Sequence, residues 1–261
     1  MTAPAIPSRD YRLATPQGEL FARRWAGGAA TPLVLFHDSL GSVELWRDFP
    51  AALAATTGRD VIAYDRIGFG RSAPYPGEWT FDFIRDEAAQ GLAWLREALG
   101  LERYIGYGYS VGGAMAAAAA RDPAACVALV TQSTQAWVDA TLLAGMREAE
   151  AAFAAPGQLE RLARYHGDKA AWVLRVWLET WQDPAFAGWR IEQAAPAVDC
   201  PLLVLHGDRD EYGGPAHPRH IAGLGRAGAR VALLPDCRHV PHREHPERVL
   251  AEVGAFLAGR P

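Results

Sequence analysis

Tyr104–Ala120, YIGYGYSVGGAMAAAAA, decides how the rest of the chain is read. Tyr104 to Tyr109 is aromatic and apolar enough for a short buried strand, and Ala114 to Ala120 is a strong helix former. At the joint, Gly108, Ser110 and Gly112 spell G-x-S-x-G. A serine at the tip of so tight a strand-to-helix turn takes a strained backbone conformation. The residues two before and two after it must lack side chains if strand and helix are to approach. The turn lifts the hydroxyl clear of the sheet and leaves the Val111 amide free at a helix start, where it can stabilise an anion. A dinucleotide-binding loop begins the same way, with Gly106 and Gly108, but needs its third glycine where this chain has Val111. An ordinary β-α turn with an incidental serine stays open on this segment alone.

Working outward, the pattern predicts a hairpin of Tyr11–Thr15 and Glu19–Trp25, then strands over Leu33–His37, Asp60–Tyr64, Val127–Thr131, Pro201–His206 and Arg230–Leu234. Helical apolar spacing runs through Ser42–Thr57, stopped by Gly58, through Thr80–Leu99 with Gly100 as C-cap, and through Glu247–Leu257. With Tyr104–Tyr109 this makes an α/β fold: a mostly parallel, eight-stranded sheet, helices on both faces, and a ligand crevice at the carboxyl ends of the strands. From about Gln132 to Val198 the signal is helical, over a length too great for a simple crossover. The expected organisation is therefore a core of residues 1–131 and 199–261 with a helical cap inserted at 132–198. Five of the nine tryptophans fall in that insertion, and Asp168 reads as the N-cap of a helix with a Val173, Trp177, Trp181 stripe. Most such rings pack on the sheet; the functional reading makes Tyr109, Trp137, Trp177 and Trp181 the lining of an apolar pocket.

The 261 residues and 28.3 kDa suit one sizeable domain. A net charge of -4, a pI near 6.1 and no basic run argue against a nucleic-acid partner. Lys169 is the sole lysine, which leaves little material for a Schiff base, a Ser-Lys dyad or a Walker-type loop. Cys126, Cys200 and Cys237 are odd in number and widely spaced, and read as unpaired buried thiols. With no leader-like or membrane-spanning apolar run, the expectation is a cytoplasmic monomer or homodimer whose partner is a small-molecule substrate.

A serine hydroxyl is a poor nucleophile until a base takes its proton, and the base needs a third group to hold it. Two strand exits offer partners. Gly207-Asp208-Arg209-Asp210-Glu211 should supply the acid, and Pro235-Asp236-Cys237-Arg238-His239 the base, His239. The chain order Ser, Asp, His is the one expected with such an elbow. His239, His242 and His245 also spell H-x-x-H-x-x-H, but Pro241 breaks any helix that would align them on a metal. His37 should brace its loop, and His206, His217 and His220 offer no distinct role.

HDSLGS (37–42), DRIGFGRS (65–72), GYSVGG (108–113), HGDRDE (206–211) and CRHVPHREHPE (237–247) follow in order, and over nearly its whole length the chain resembles the α/β-hydrolase superfamily. The resemblance implies Ser110 as nucleophile, Asp210 as the acid with Asp208 structural, His239 as base, and the backbone amides of Ser39 and Val111 as receivers of an oxyanion. It implies no metal or organic cofactor. Asp38 stands where glycine is usual, a substitution its backbone tolerates and whose carboxylate should bias the site against anionic substrates. HDSLGS with GYSVGG is most similar to small carboxylesterases, enol-lactonases and menaquinone-pathway synthases. The arginine those synthases carry past the double glycine is Ala114 here. The expected reaction is cleavage of a neutral, fairly apolar carboxylic ester or lactone through an acyl-enzyme. Carbon-carbon bond hydrolysis, thioester hydrolysis and elimination are the alternatives on the same three residues, and a slow-turnover ligand sensor is the rival class.

Overall fold

Successive side chains of a strand point to opposite faces, and here both faces find cover. In the computed structural model, which describes residues 6–260, Leu33 and Leu35 share one layer with Val61, Ile105 and Val130 under Phe49, Leu53 and Val253. Val34 and Phe36 face the other layer, with Ile62, Leu129 and Val204 beneath Leu92, Met115 and Ile221. Each of these buried side chains contributes about 2 kcal/mol by leaving water.

The elements run β1 (Ser8–Thr15), β2 (Gly18–Phe36), α1 (Phe49–Thr57), β3 (Arg59–Tyr64), α2 (Phe83–Asp86), α3 (Leu92–Leu99), β4 (Tyr104–Tyr109), α4 (Val111–Ala119) and β5 (Cys126–Gln132). Three helices follow, α5 (Ala140–Phe153), α6 (Gln158–His166) and α7 (Ala170–Gln182). The chain then closes with β6 (Leu202–Gly207), α8 (Ala216–Gly223), β7 (Ala229–Leu234), α9 (Pro241–Glu244) and α10 (Pro246–Leu257).

The sheet has seven strands, not the eight expected, because the 19-residue β2 absorbs two of them. Its first limb pairs antiparallel with β1 and meets β3 in descending register, Ala22↔Tyr64 to Trp25↔Val61. Its second limb meets the same strand in ascending register, Leu33↔Val61 to Leu35↔Ala63, so β3 lies between the two limbs. Gly27 and Gly28 permit the reversal. A Cβ on either would lie 2.2 Å from the carbonyl oxygen of Arg59 or Gly58, and both amides donate to Asp60 Oδ1, at 3.0 and 3.1 Å. From the second limb, β4, β5, β6 and β7 add in parallel.

The helix expected over Ser42–Thr57 is split into a 3-10 turn, Val43–Trp46, and α1, with Arg47 at φ 53° between them. The helix expected from Thr80 begins at Phe83, and a π turn, Glu87–Gly91, joins α2 to α3. Asp168 is not an N-cap. It lies in a 3-10 turn, Gly167–Lys169, and Lys169 precedes α7 with helical angles and no side-chain cap bond; a capping side chain needs an extended residue at that place. Between β5 and β6 the described residues form only helices, turns and isolated bridges. Leu142, Met146, Trp181, Phe186 and Ile191 from this stretch belong to the same core cluster as the sheet residues. No helix among the described residues is long and apolar enough to cross a membrane.

Candidate active site

β4 runs straight into α4, and Ser110 at the joint has φ 55° and ψ -127°. Three glycines make this possible. A Cβ on Gly108 would lie 2.2 Å from the Gly112 carbonyl oxygen, one on Gly112 would lie 2.2 Å from that of Phe36, and one on Gly113 would strike Thr134. The turn is tied to its neighbours by the Ser110 amide, which donates to the Gln132 carbonyl at 2.8 Å, and by the Gly113 amide, which donates to the Ser110 carbonyl at 2.9 Å. The serine is thus held by the ends of β2, β4 and β5 together.

The exits of β6 and β7 close on each other at Gly207, where a Cβ would meet the carbonyl oxygens of Arg238 and Cys237 at 2.2 and 2.3 Å. Asp208 serves this junction, its Oδ1 accepting from the Cys237 amide at 3.4 Å. Asp210 faces the other way. Both its oxygens lie 2.9 Å from His239 Nδ1, and Oδ1 also accepts from the Tyr212 amide at 2.8 Å. His239 Nε2 is 3.1 Å from Ser110 Oγ. With Nδ1–H donating to the carboxylate, Nε2 turns its lone pair to the hydroxyl.

Burial alone would push the His239 imidazole down, yet the facing Asp210 carboxylate outweighs it and the pKa lies above the ordinary value. The same attraction overcomes burial at Asp210 and holds its carboxyl below the usual range. The rings of Tyr212 and Tyr109, 4.7 and 5.4 Å away, flank the imidazole. A hydroxyl, an imidazole and a carboxylate so ordered can take a proton from the serine as its oxygen attacks a carbonyl.

Ser110 and His239 open onto a cavity of about 360 Å³ between the strand ends and α5 and α7. Ser39, Tyr109, Trp177 and Trp181 line it, with Leu40, Leu142, Met146 and Phe153. Val111 borders a small space beside it that also touches Ser39, Trp177 and Trp181. No hydrogen bond within the described residues engages the amide of Ser39 or of Val111. Trp137 is not part of the lining. Its ring stacks on His217, centroids 4.4 Å apart, and its Nε1–H donates to Asp139 at 3.2 Å.

The three histidines of the H-x-x-H-x-x-H run diverge. His239 meets the serine, His242 Nδ1 accepts from Gln132 Nε2 at 2.7 Å, and His245 turns toward the Asp236 carbonyl at 3.5 Å. Among the described residues no three His, Cys, Asp or Glu side chains converge as a metal site would require. His37 braces its loop: Nδ1–H donates to the Asp38 carbonyl at 2.8 Å and Nε2 accepts from the Arg66 amide at 3.2 Å.

Sequence reasoning missed His206. Its Nε2 lies 2.8 Å from the Gly213 carbonyl oxygen and 3.4 Å from Asp210 Oδ2, making it a second imidazole on the carboxylate. The histidine four residues before Asp210 was visible in HGDRDE, but nothing in the pattern said that the loop would fold back on it. Gln135, Glu211 and Tyr212 also line the cavity unforeseen.

A family model described as alpha/beta hydrolase fold matches residues 31–177. The chain is 36% identical over 88 residues to the 1-acylglycerol-3-phosphate O-acyltransferase ABHD5 of Homo sapiens, a match over 34% of this chain and 25% of that protein. It therefore spans about a quarter of the length of the first curated relatives it matches. It is 25% identical to a non-heme haloperoxidase of Rhodococcus erythropolis over 272 residues, 92% of this chain and 96% of that protein. Among solved structures, an enol-lactonase from Burkholderia xenovorans is similar at a TM-score of 0.73 and 25% identity, over 95% of this chain and 99% of its own.

Proposed function

The chain belongs to the α/β-hydrolase family, and from that premise we propose that it is a serine hydrolase cleaving a carboxylic ester or lactone through an acyl-enzyme. The observation that carries this reading is the 3.1 Å approach of His239 Nε2 to Ser110 Oγ, with Asp210 at 2.9 Å behind the imidazole. His239 takes the hydroxyl proton as Ser110 attacks the carbonyl, and returns it to the leaving oxygen. The unpartnered amides of Ser39 and Val111 receive the oxyanion. His239 then draws a proton from water, which attacks the acyl-enzyme and releases the acid.

The helices α5 to α7 act as a cap. Trp177 and Trp181 of α7 and Leu142 and Met146 of α5 roof the serine and suit a neutral, fairly apolar group around the bond that breaks. The Glu211 carboxylate at the same end disfavours negative charge there. A serine rather than an aspartate at position 110 supports acyl transfer over alkyl transfer.

A panel of p-nitrophenyl esters of rising acyl length, with Ser110→Ala as control, tests the proposal. Expected is a serine-dependent rate with an optimum set by the cavity, falling about a thousandfold or more in the variant. Rates indistinguishable between the two proteins across esters and lactones would overturn it.

A further inference from the structure

The cavity over Ser110 continues. Asp38, Leu40, Tyr109 and Phe153 belong also to the wall of a second chamber of about 300 Å³, for which the proposed reaction has no use. One face of α6 builds the far side, presenting Gln158, Arg161 and Tyr165 at helical spacing. Arg243 on α9, just beyond His239, completes it.

Charge separates the two rooms. The serine end has no arginine or lysine in its wall, and its carboxyl groups are Glu211, paired with Arg238, and Asp38, which both rooms share. The second chamber sets two guanidinium groups against Asp38 alone, and burial favours the neutral form of that carboxyl. Arg243 donates to the Leu45 carbonyl. Arg161 has no carboxylate partner among the described residues. A guanidinium fork left free beside a phenol and an amide is chemically a receptor for a planar anion.

We propose that the second chamber is a subsite for a carboxylate at the far end of the substrate. The reacting carbonyl sits at Ser110, an apolar chain passes Leu40 and Phe153, and the carboxylate is gripped by Arg161 and Arg243. This placement of the carbonyl rests on the ester-cleaving reading. The arginines draw the anion to the far room, and no arginine or lysine lines the serine room to compete for it, so the substrate enters in one orientation.

Binding to the Ser110→Ala protein, read by calorimetric titration, tests the subsite without turnover. The probes are monomethyl succinate, adipate and sebacate, each against its dimethyl ester. At the chain length that spans the two rooms, the half-ester should bind about tenfold more tightly than the diester, and the advantage should shrink as salt is raised. Arg161→Gln should remove about fivefold of it. Half-esters that bind no better than diesters at any length would overturn the proposal, as would an advantage that survives Arg161→Gln combined with Arg243→Gln. Because these outcomes are read without the serine, they are distinct from a failure of the native protein to hydrolyse esters.

Discussion

His206 is fully buried, and its Nδ1 has no partner among the described residues. Burial holds its pKa down, so it stays neutral and its Nε2–H serves only as a donor shared by Gly213 and Asp210. It is a positioning residue. His206→Leu leaves the buried Gly213 carbonyl without its donor, at a cost of about 1–3 kcal/mol in stability, and the Asp210 carboxylate loses an anchor. Expected are a kcat about tenfold lower with KM nearly unchanged, and a pH profile displaced upward. The sign follows from His239, which must be neutral to act as base. Activity is lost as pH falls through its pKa, raised above the 6.5 of an ordinary imidazole, and a less hydrogen-bonded Asp210 raises it further. An unchanged profile of kcat/KM against pH would remove His206 from the machinery. Ser110, Asp210 and His239 could be read from sequence because each sits at a strand exit and few residue types can do their work. Trp137 could not, since the direction of its ring is decided by His217, distant along the chain.

α6 is tied to the loops after β2 and β3 by one imidazole. His166 Nδ1 accepts from the Gly70 amide at 2.9 Å, and its Nε2–H donates to the Leu40 carbonyl at 3.0 Å. Burial, helped by the nearby charges of Lys169 and Arg66, lowers its pKa from 6.5 to about 4, and protonation would break the bond from Gly70. A histidine depressed on folding stabilises fully above its unfolded value, and the contribution is lost as pH falls toward the folded one. The loss should come to about 3 kcal/mol between pH 6.5 and about 4. Urea midpoints across that range should fall less steeply in His166→Gln than in the native protein; parallel curves would show the link to be energetically silent. At this scale the periodicity of apolar residues was enough to find the strands and most helices. The fusion of two expected strands into β2 was not legible, because it depends on the contact of Gly27 and Gly28 with the carbonyls of Arg59 and Gly58, distant along the chain. The absent cap at Asp168 likewise depends on backbone angles at Lys169 that no residue type dictates.

Taken whole, the molecule keeps its helical insertion inside the same apolar interior as its sheet, since Leu142, Trp181 and Ile191 pack in one cluster with Val34 and Leu129. Unfolding should accordingly be a single event. Tryptophan emission, weighted toward the five rings between Gln132 and Val198, and far-ultraviolet dichroism should give the same urea midpoint; separate midpoints would make the insertion an independent unit. The clasp of β3 between the limbs of β2 carries a consequence for the order of assembly. β1, β2 and β3, complete by Tyr64, pair among themselves; β1 stays the outer strand of the sheet, and the edge Leu33–Phe36 is left to receive β4. A chain emerging from the ribosome therefore has its template finished before the nucleophile is synthesised. Ser110 docks, with its strand, onto an edge already waiting for it.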